Sequence, residues 1–119
     1  MYLDQYKEAA TYFGIVVKHK PKQIAGWESF IKCLIANEQY DAALEQTELA
    51  YMSTQGKVIF VYYRSAILFM MHKRKEGLLQ LEMALSKSGK WLNKLIKFYP
   101  ELIQDPKVVE LISQYKKLK

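Results

Sequence analysis

The sequence repeats itself at an interval of 34 residues. Aligning "LIANEQYDAALEQTELAY" (Leu34–Tyr51) with "LFMMHKRKEGLLQLEMAL" (Leu68–Leu85) pairs Leu34 with Leu68, Leu44 with Leu78, Glu48 with Glu82 and Ala50 with Ala84. The same shift sets the small Ala43 on the small Gly77, and a further step back sets Ala43 on Ala9 and Tyr40 on Tyr6. A period of this length carrying two helical patterns marks a helix–turn–helix repeat. Each such unit buries its apolar face on the next, which predicts an all-α solenoid.

The period decides how the most apolar stretch, "VIFVYYRSAILFMMHKRK", is read. Val58 to Met71 are apolar or aromatic except Arg64 and Ser65. That is short of the roughly 20 apolar residues a bilayer-spanning helix needs, and Arg64 stands at its centre. Propensity alone favours a strand, because the run is rich in β-branched and aromatic residues. The repeat instead makes it the first helix of a unit, with apolar residues on all sides because several sides are packed. Val61, Ser65 and Leu68 are expected against its own partner helix. Phe60, Ile67 and Met71 are expected against a neighbouring unit.

Around that anchor the apolar spacing predicts helices over residues 3–19, 22–36, 39–54, 57–72 and 75–88. Leu3, Tyr6, Ala10, Phe13 and Val17 share one helical face, as do Ile24, Trp27, Ile31, Leu34 and Ile35. Gly56 and Gly89 follow helix ends, where a left-handed residue commonly closes the last turn. "KWLNKLIKFYP" predicts an amphipathic helix through Trp91, Leu95 and Tyr99, stopped before Pro100. Asp105 followed by Pro106 reads as an N-cap and first helical position. In the helix they open, Val108, Leu111, Ile112 and Tyr115 form the inner face, and Lys107, Glu110, Gln114 and Lys117 face water.

These positions resemble the tetratricopeptide repeat family. Trp27, Phe30, Leu34, Ala43 and Ala50 fit its pattern in one unit, and Val61, Leu68, Gly77, Leu81 and Ala84 in the next. Ala9, Phe13, Val16 and Pro21 fit the second helix of a preceding unit. Ile31, Thr47, Gln55 and Gly89 depart from the usual residues. The resemblance covers Tyr6 to Gly89, and "FYPELIQDP" resembles the C-terminal ends of some bacterial repeat proteins. It implies a right-handed α-solenoid of antiparallel helix pairs, about two and a half repeats plus C-terminal capping helices, in a single domain. The expected divisions are 1–21, the second helix of an incomplete repeat; 22–55 and 56–89, two repeats; and 90–119, the capping helices. Such a chain is expected to be the C-terminal part of a longer array.

No catalytic constellation appears in the sequence, and no enzymatic activity, cofactor or metal is expected. Cys33, His19 and His72 are isolated from one another, which gives no metal-ligand spacing. His19 reads as a helix-end residue, His72 as a turn residue and Cys33 as a packing thiol. One cysteine cannot form an internal disulfide. No phosphate-binding glycine motif is present among the five glycines. The N-terminus lacks the basic start and apolar core of a signal peptide. If the chain is complete, a cytoplasmic location is expected.

The formal net charge is +6, gathered in "KHKPK", "HKRK" and "YKKLK". Cations favour helix C-terminal ends, and that role accounts for these runs. Function is then expected to lie in a surface that recognises a protein or peptide. The family resemblance places that surface on the first helix of each unit, at Glu28, Lys32, Ile35, Ile59, Tyr62, Ala66 and Phe69. Glu28, Tyr62 and Ala66 stand where carboxylate-clamp members carry Lys or Asn, so that activity is not expected. The alternative is a helical-repeat RNA-binding module using the basic surface, but the apolar groove positions make nucleic acid the less expected partner. A second apolar row on helix 3–19 (Tyr2, Ala9, Tyr12, Val16) would suit either a preceding repeat or a homodimer.

Overall fold

The computed structural model describes residues 2–117, with side chains from Gln5 to Lys117. The described residues form seven α-helices and no strand: α1 (Tyr2–His19), α2 (Ile24–Ala36), α3 (Tyr40–Ser53), α4 (Ile59–Met70), α5 (Arg74–Lys87), α6 (Leu92–Phe98) and α7 (Pro106–Lys117). Short 3₁₀ turns at Gly89–Trp91 and Pro100–Gln104 flank α6. The chain divides into two compact units, Met1–Phe60 and Val61–Lys119.

The 34-residue period reappears as backbone geometry. After α2, the Gln39 N–H donates to the Leu34 carbonyl at 2.8 Å, and Glu38 takes a left-handed φ of 59°. After α4, 34 residues on, the Lys73 N–H donates to the Leu68 carbonyl at 2.8 Å, and His72 takes a φ of 62°. This bond is the signature of a helix ended by a left-handed residue. Left-handed backbone is uncommon outside glycine, so two matching occurrences at the repeat interval are specific. The helices that follow, α3 and α5, have the same length and are offset by 34 residues.

Small residues explain how each helix pair closes. Ala43 and Ala50 on α3 and Ala84 on α5 have no exposed surface, and Gly77 is buried. At Gly77 the α5 backbone approaches α4 closely. The Ser65 hydroxyl donates to the Gly77 carbonyl at 2.8 Å, and the Phe69 ring lies where a Cβ would stand, 2.9 Å from it.

In the first unit, Gly26 lets α1 and α2 approach closely, while Gly14 leaves room for an ordinary contact. A Cβ at Gly14 would touch the Phe30 ring at 3.5 Å, and one at Gly26 would press on Val16 at 3.3 Å. Trp27 is buried, and its indole N–H donates to the Pro21 carbonyl at 2.8 Å, which fixes the turn between these helices. Thr47 stands where the repeat pattern usually has an aromatic. It is buried, with its hydroxyl bonded to the Leu44 carbonyl at 2.6 Å.

In the second unit, α4 is buried from Val61 to Leu68 except at Arg64. Val108 is buried on α7, Leu111, Ile112 and Tyr115 are half-buried, and Lys107, Glu110, Gln114 and Lys117 are exposed, as the spacing predicts. Asp105 caps α7 by accepting the Lys107 N–H at 2.9 Å. Two expectations are corrected. The helix through Trp91 and Tyr99 is confined to Leu92–Phe98, because Trp91 lies in a 3₁₀ turn and Tyr99 terminates α6. Gln55, not Gly56, closes α3, with a φ of 60° and the following Gly56 N–H donating to the Tyr51 carbonyl at 2.7 Å; Gly89 opens a 3₁₀ turn, and a Cβ there would collide with the Tyr115 hydroxyl.

Candidate protein-binding groove

The seven residues expected to line a groove have different surroundings. Ile59, Tyr62 and Ala66 are 1%, 0% and 0% exposed, so they are core and offer a partner no surface. Tyr62 spends its hydroxyl within its own unit, donating to the Ser88 carbonyl at 2.6 Å. Burial, and then the charge of Tyr115, pushes the Tyr62 phenol up to about 12. Phe69 is half-buried and covers Gly77. On α2, Lys32 is exposed and Glu28 and Ile35 are half-buried.

A concavity of the first unit opens on another side of α2. It has a volume of about 730 Å³, with a floor of Trp27, Phe30 and Leu34 from α2. Ile15 on the α1 rim is 53% exposed, and Leu49 on the α3 rim is 49% exposed. At 100° per residue, Phe30 and Leu34 lie roughly 200° around α2 from Glu28 and Lys32. The expected and observed surfaces are therefore opposite faces of one helix. Polar lining comes from Lys7, Thr11 and Lys18 on α1 and from Gln39, Gln46 and Ser53 at and along α3, with no carboxylate among the described residues that line it.

The sequence contains the signal for this groove, but it supports two readings. Ile15 lies off both apolar rows assigned to α1, and Leu49 lies off the buried row of Ala43, Thr47 and Ala50. Apolar residues off the packed row mark either isolated surface side chains or a recognition surface. Only their convergence over Phe30 distinguishes the two. On the second apolar row of α1, Tyr12 is 63% exposed and Ala9 and Val16 are half-buried, while the Tyr2 side chain lies outside the described residues.

A second cleft of about 440 Å³ lies between α5 and α7, lined by Leu78, Leu79 and Leu111 with Lys75, Glu82, Lys107 and Glu110. Its mixed charges and exposed leucine give it no single chemical preference.

Among the described residues no group of three or more His, Cys, Asp or Glu could hold a metal. His19 is exposed, with Nδ1 3.0 Å from the Ile15 carbonyl at the end of α1, and His72 is an exposed turn residue. Cys33 is half-buried, and burial raises its thiol pKa, the opposite of what a nucleophile needs. Every buried side-chain polar atom described has a hydrogen-bond partner. No described helix is long and apolar enough to cross a membrane. No protein-family model matches this chain, and no curated protein or solved structure is significantly similar to it.

Proposed function

We propose that this chain is a non-enzymatic protein-interaction module, built on tetratricopeptide-like helix pairs, that holds a segment of a partner protein. The observation that carries the reading is the α1–α3 groove, where exposed Ile15 and Leu49 flank an aromatic floor. Contiguous apolar surface of this kind is costly in water and marks recognition sites. Lys7 and Lys18 on the α1 side, with no carboxylate among the described lining residues, select the occupant. It is an apolar stripe flanked by Asp or Glu, as an amphipathic acidic segment presents. The same two lysines oppose a second copy docking through this groove, since its own rim would bring like charges together.

Selection of a displayed random-peptide library against the protein tests this reading. The expected winners share an apolar anchor beside acidic residues and lose binding to the Ile15→Glu/Leu49→Glu variant. Winners that bind this variant as tightly as the parent protein would overturn the groove. So would a sedimentation result in which the parent is a dimer and the variant a monomer.

A further inference from the structure

The charges that line the cleft between α5 and α7 are ordered, not scattered. The two helices run parallel there. Arg74, in the first turn of α5, grips Asp105 at the start of α7, and Tyr115, near the end of α7, lies against Gly89 just after α5. Lys75 and Lys107 therefore share the end where both helices begin, and Glu110 and then Glu82 follow along the axes. Between Lys75 and Glu82 lie half-buried Leu78 and the 63% exposed Leu79. The cleft is basic at one end, acidic at the other and apolar in its middle.

These charges are not answered within the unit. Lys75, Glu82, Lys107 and Glu110 are all exposed, and none of them forms an ion pair with another described residue. Lys75 and Glu82 stand seven residues apart on one helix, about 10 Å along its axis, too far to meet each other. Both lysines lie in the first turn of their helix, where the dipole disfavours a cation and an acidic neighbour offsets it.

We propose that the occupant of this cleft is the same cleft of a second copy of the chain. A surface with no preference for one charge suits an occupant that carries both, in the reverse order. A two-fold axis lying in the interface, perpendicular to the helices, supplies that occupant, because it turns the second copy end for end. Placed midway between Lys75 and Glu82, the axis passes between Leu78 and Leu79. Lys75 of each copy then faces Glu82 of the other, and Leu78 of each faces Leu79 of the other. Opposite charges meet at both ends while the exposed leucine is covered by an apolar neighbour. Nucleic acid and anionic lipid do not fit, because Glu82 and Glu110 repel them. No residue of the α1–α3 groove takes part.

Sedimentation equilibrium tests it. A contact confined to one cleft belongs with small, weak interfaces, so the measurement runs from micromolar to millimolar protein. The parent should dimerise reversibly, and less well in added salt, which screens exposed pairs. Lys75→Glu and Glu82→Lys should each keep the parent's circular dichroism and lose at least tenfold in dimer affinity, because each sets like charges across the axis. Mixed in equal amounts, these two variants should dimerise with each other, because the mixture restores opposite charges at both crossings. Ile15→Glu/Leu49→Glu should dimerise as the parent does. A parent that stays monomeric at millimolar concentration would overturn the proposal. So would single variants that dimerise like the parent, or single variants that stay monomeric when mixed. Loss of the dimer in Ile15→Glu/Leu49→Glu would also overturn it, by moving the contact to the groove.

Discussion

The Arg74 guanidinium grips the Asp105 carboxylate with two hydrogen bonds, from Nε to Oδ2 at 2.6 Å and from Nη2 to Oδ1 at 2.7 Å. The pair ties the first turn of α5 to the N-cap of α7, and Oδ1 also accepts the Lys107 N–H. Asp105 therefore has two jobs that substitutions can separate. Asn caps helices about as well as Asp but cannot pair with a cation. Asp105→Ala should lower the urea midpoint more than Asp105→Asn, and Arg74→Ala should resemble Asp105→Asn. The hydrogen bonds from Arg74 are the main reason the Asp105 pKa is lowered. A depressed carboxylate contributes stability above its unfolded pKa of about 4, and that contribution is lost as pH falls through the lower folded value. The acid limb of stability against pH should therefore be shallower in Arg74→Ala than in the parent. Added salt should also reduce the pair's effect, since both groups meet solvent.

Tyr62 gives the corresponding prediction at high pH. Its hydroxyl donates to the Ser88 carbonyl from a ring with no exposed surface. Removing the hydroxyl leaves that carbonyl short of a donor, so Tyr62→Phe should cost about 1–2 kcal/mol in urea unfolding. The phenol pKa is pushed up to about 12. A raised pKa contributes stability that is fully present below the unfolded value of about 10 and is lost as pH rises through the folded one. Alkaline unfolding should thus be less steep in Tyr62→Phe, and ultraviolet titration of the native parent should show tyrosine ionisation delayed until the fold opens, by one residue fewer in Tyr62→Phe.

Sequence and structure agree best where one physical cause acts alone. The 34-residue offset survives as α3 and α5 and as the paired left-handed residues Glu38 and His72, because turn closure is a local property of the backbone. The apolarity of α4 correctly signals burial on several sides. Which residues lie on which side is not local. Tyr62 and Phe69 share a helical face that a repeat analogy assigns to a ligand, yet their partners, Ser88 and Gly77, sit at the two ends of α5. The Asp105–Pro106 start of α7 is legible from residue types, whereas the Arg74 that grips Asp105 is 31 residues away and no pattern announces it.

Gly77 tests whether Phe69 packs within the unit or serves a ligand. Alanine is favoured over glycine inside a helix by about 1 kcal/mol, so Gly77→Ala would stabilise an open α5. Here the new Cβ would meet the Phe69 ring at 2.9 Å. Overpacking a closed contact costs about 1–3 kcal/mol, which outweighs the propensity gain. Gly77→Ala should therefore destabilise by about 1 kcal/mol in a chemical unfolding titration. In a Phe69→Ala background the same substitution should become neutral or stabilising. A cost that persists without the ring would show that the contact is not what glycine serves.

Gly89 and Tyr115 set the last test, on how α7 is seated. A Cβ at Gly89 would fall on the Tyr115 hydroxyl, and the ring, half-buried in its seat, would have to leave it. A flexible side chain can move more cheaply than a backbone, so the expected cost of Gly89→Ala is about 1 kcal/mol, at the low end for overpacking. Its location is more informative than its size. Hydrogen exchange should accelerate at the amides of the last turns of α7, while those of α2 and α3 in the first unit keep their protection. Tyr115→Ala alone should produce the same local acceleration, and adding Gly89→Ala to it should do no further harm, because the two changes remove one contact. Additive losses in the double variant would mean that Gly89 is needed for the 3₁₀ turn after α5 rather than for Tyr115.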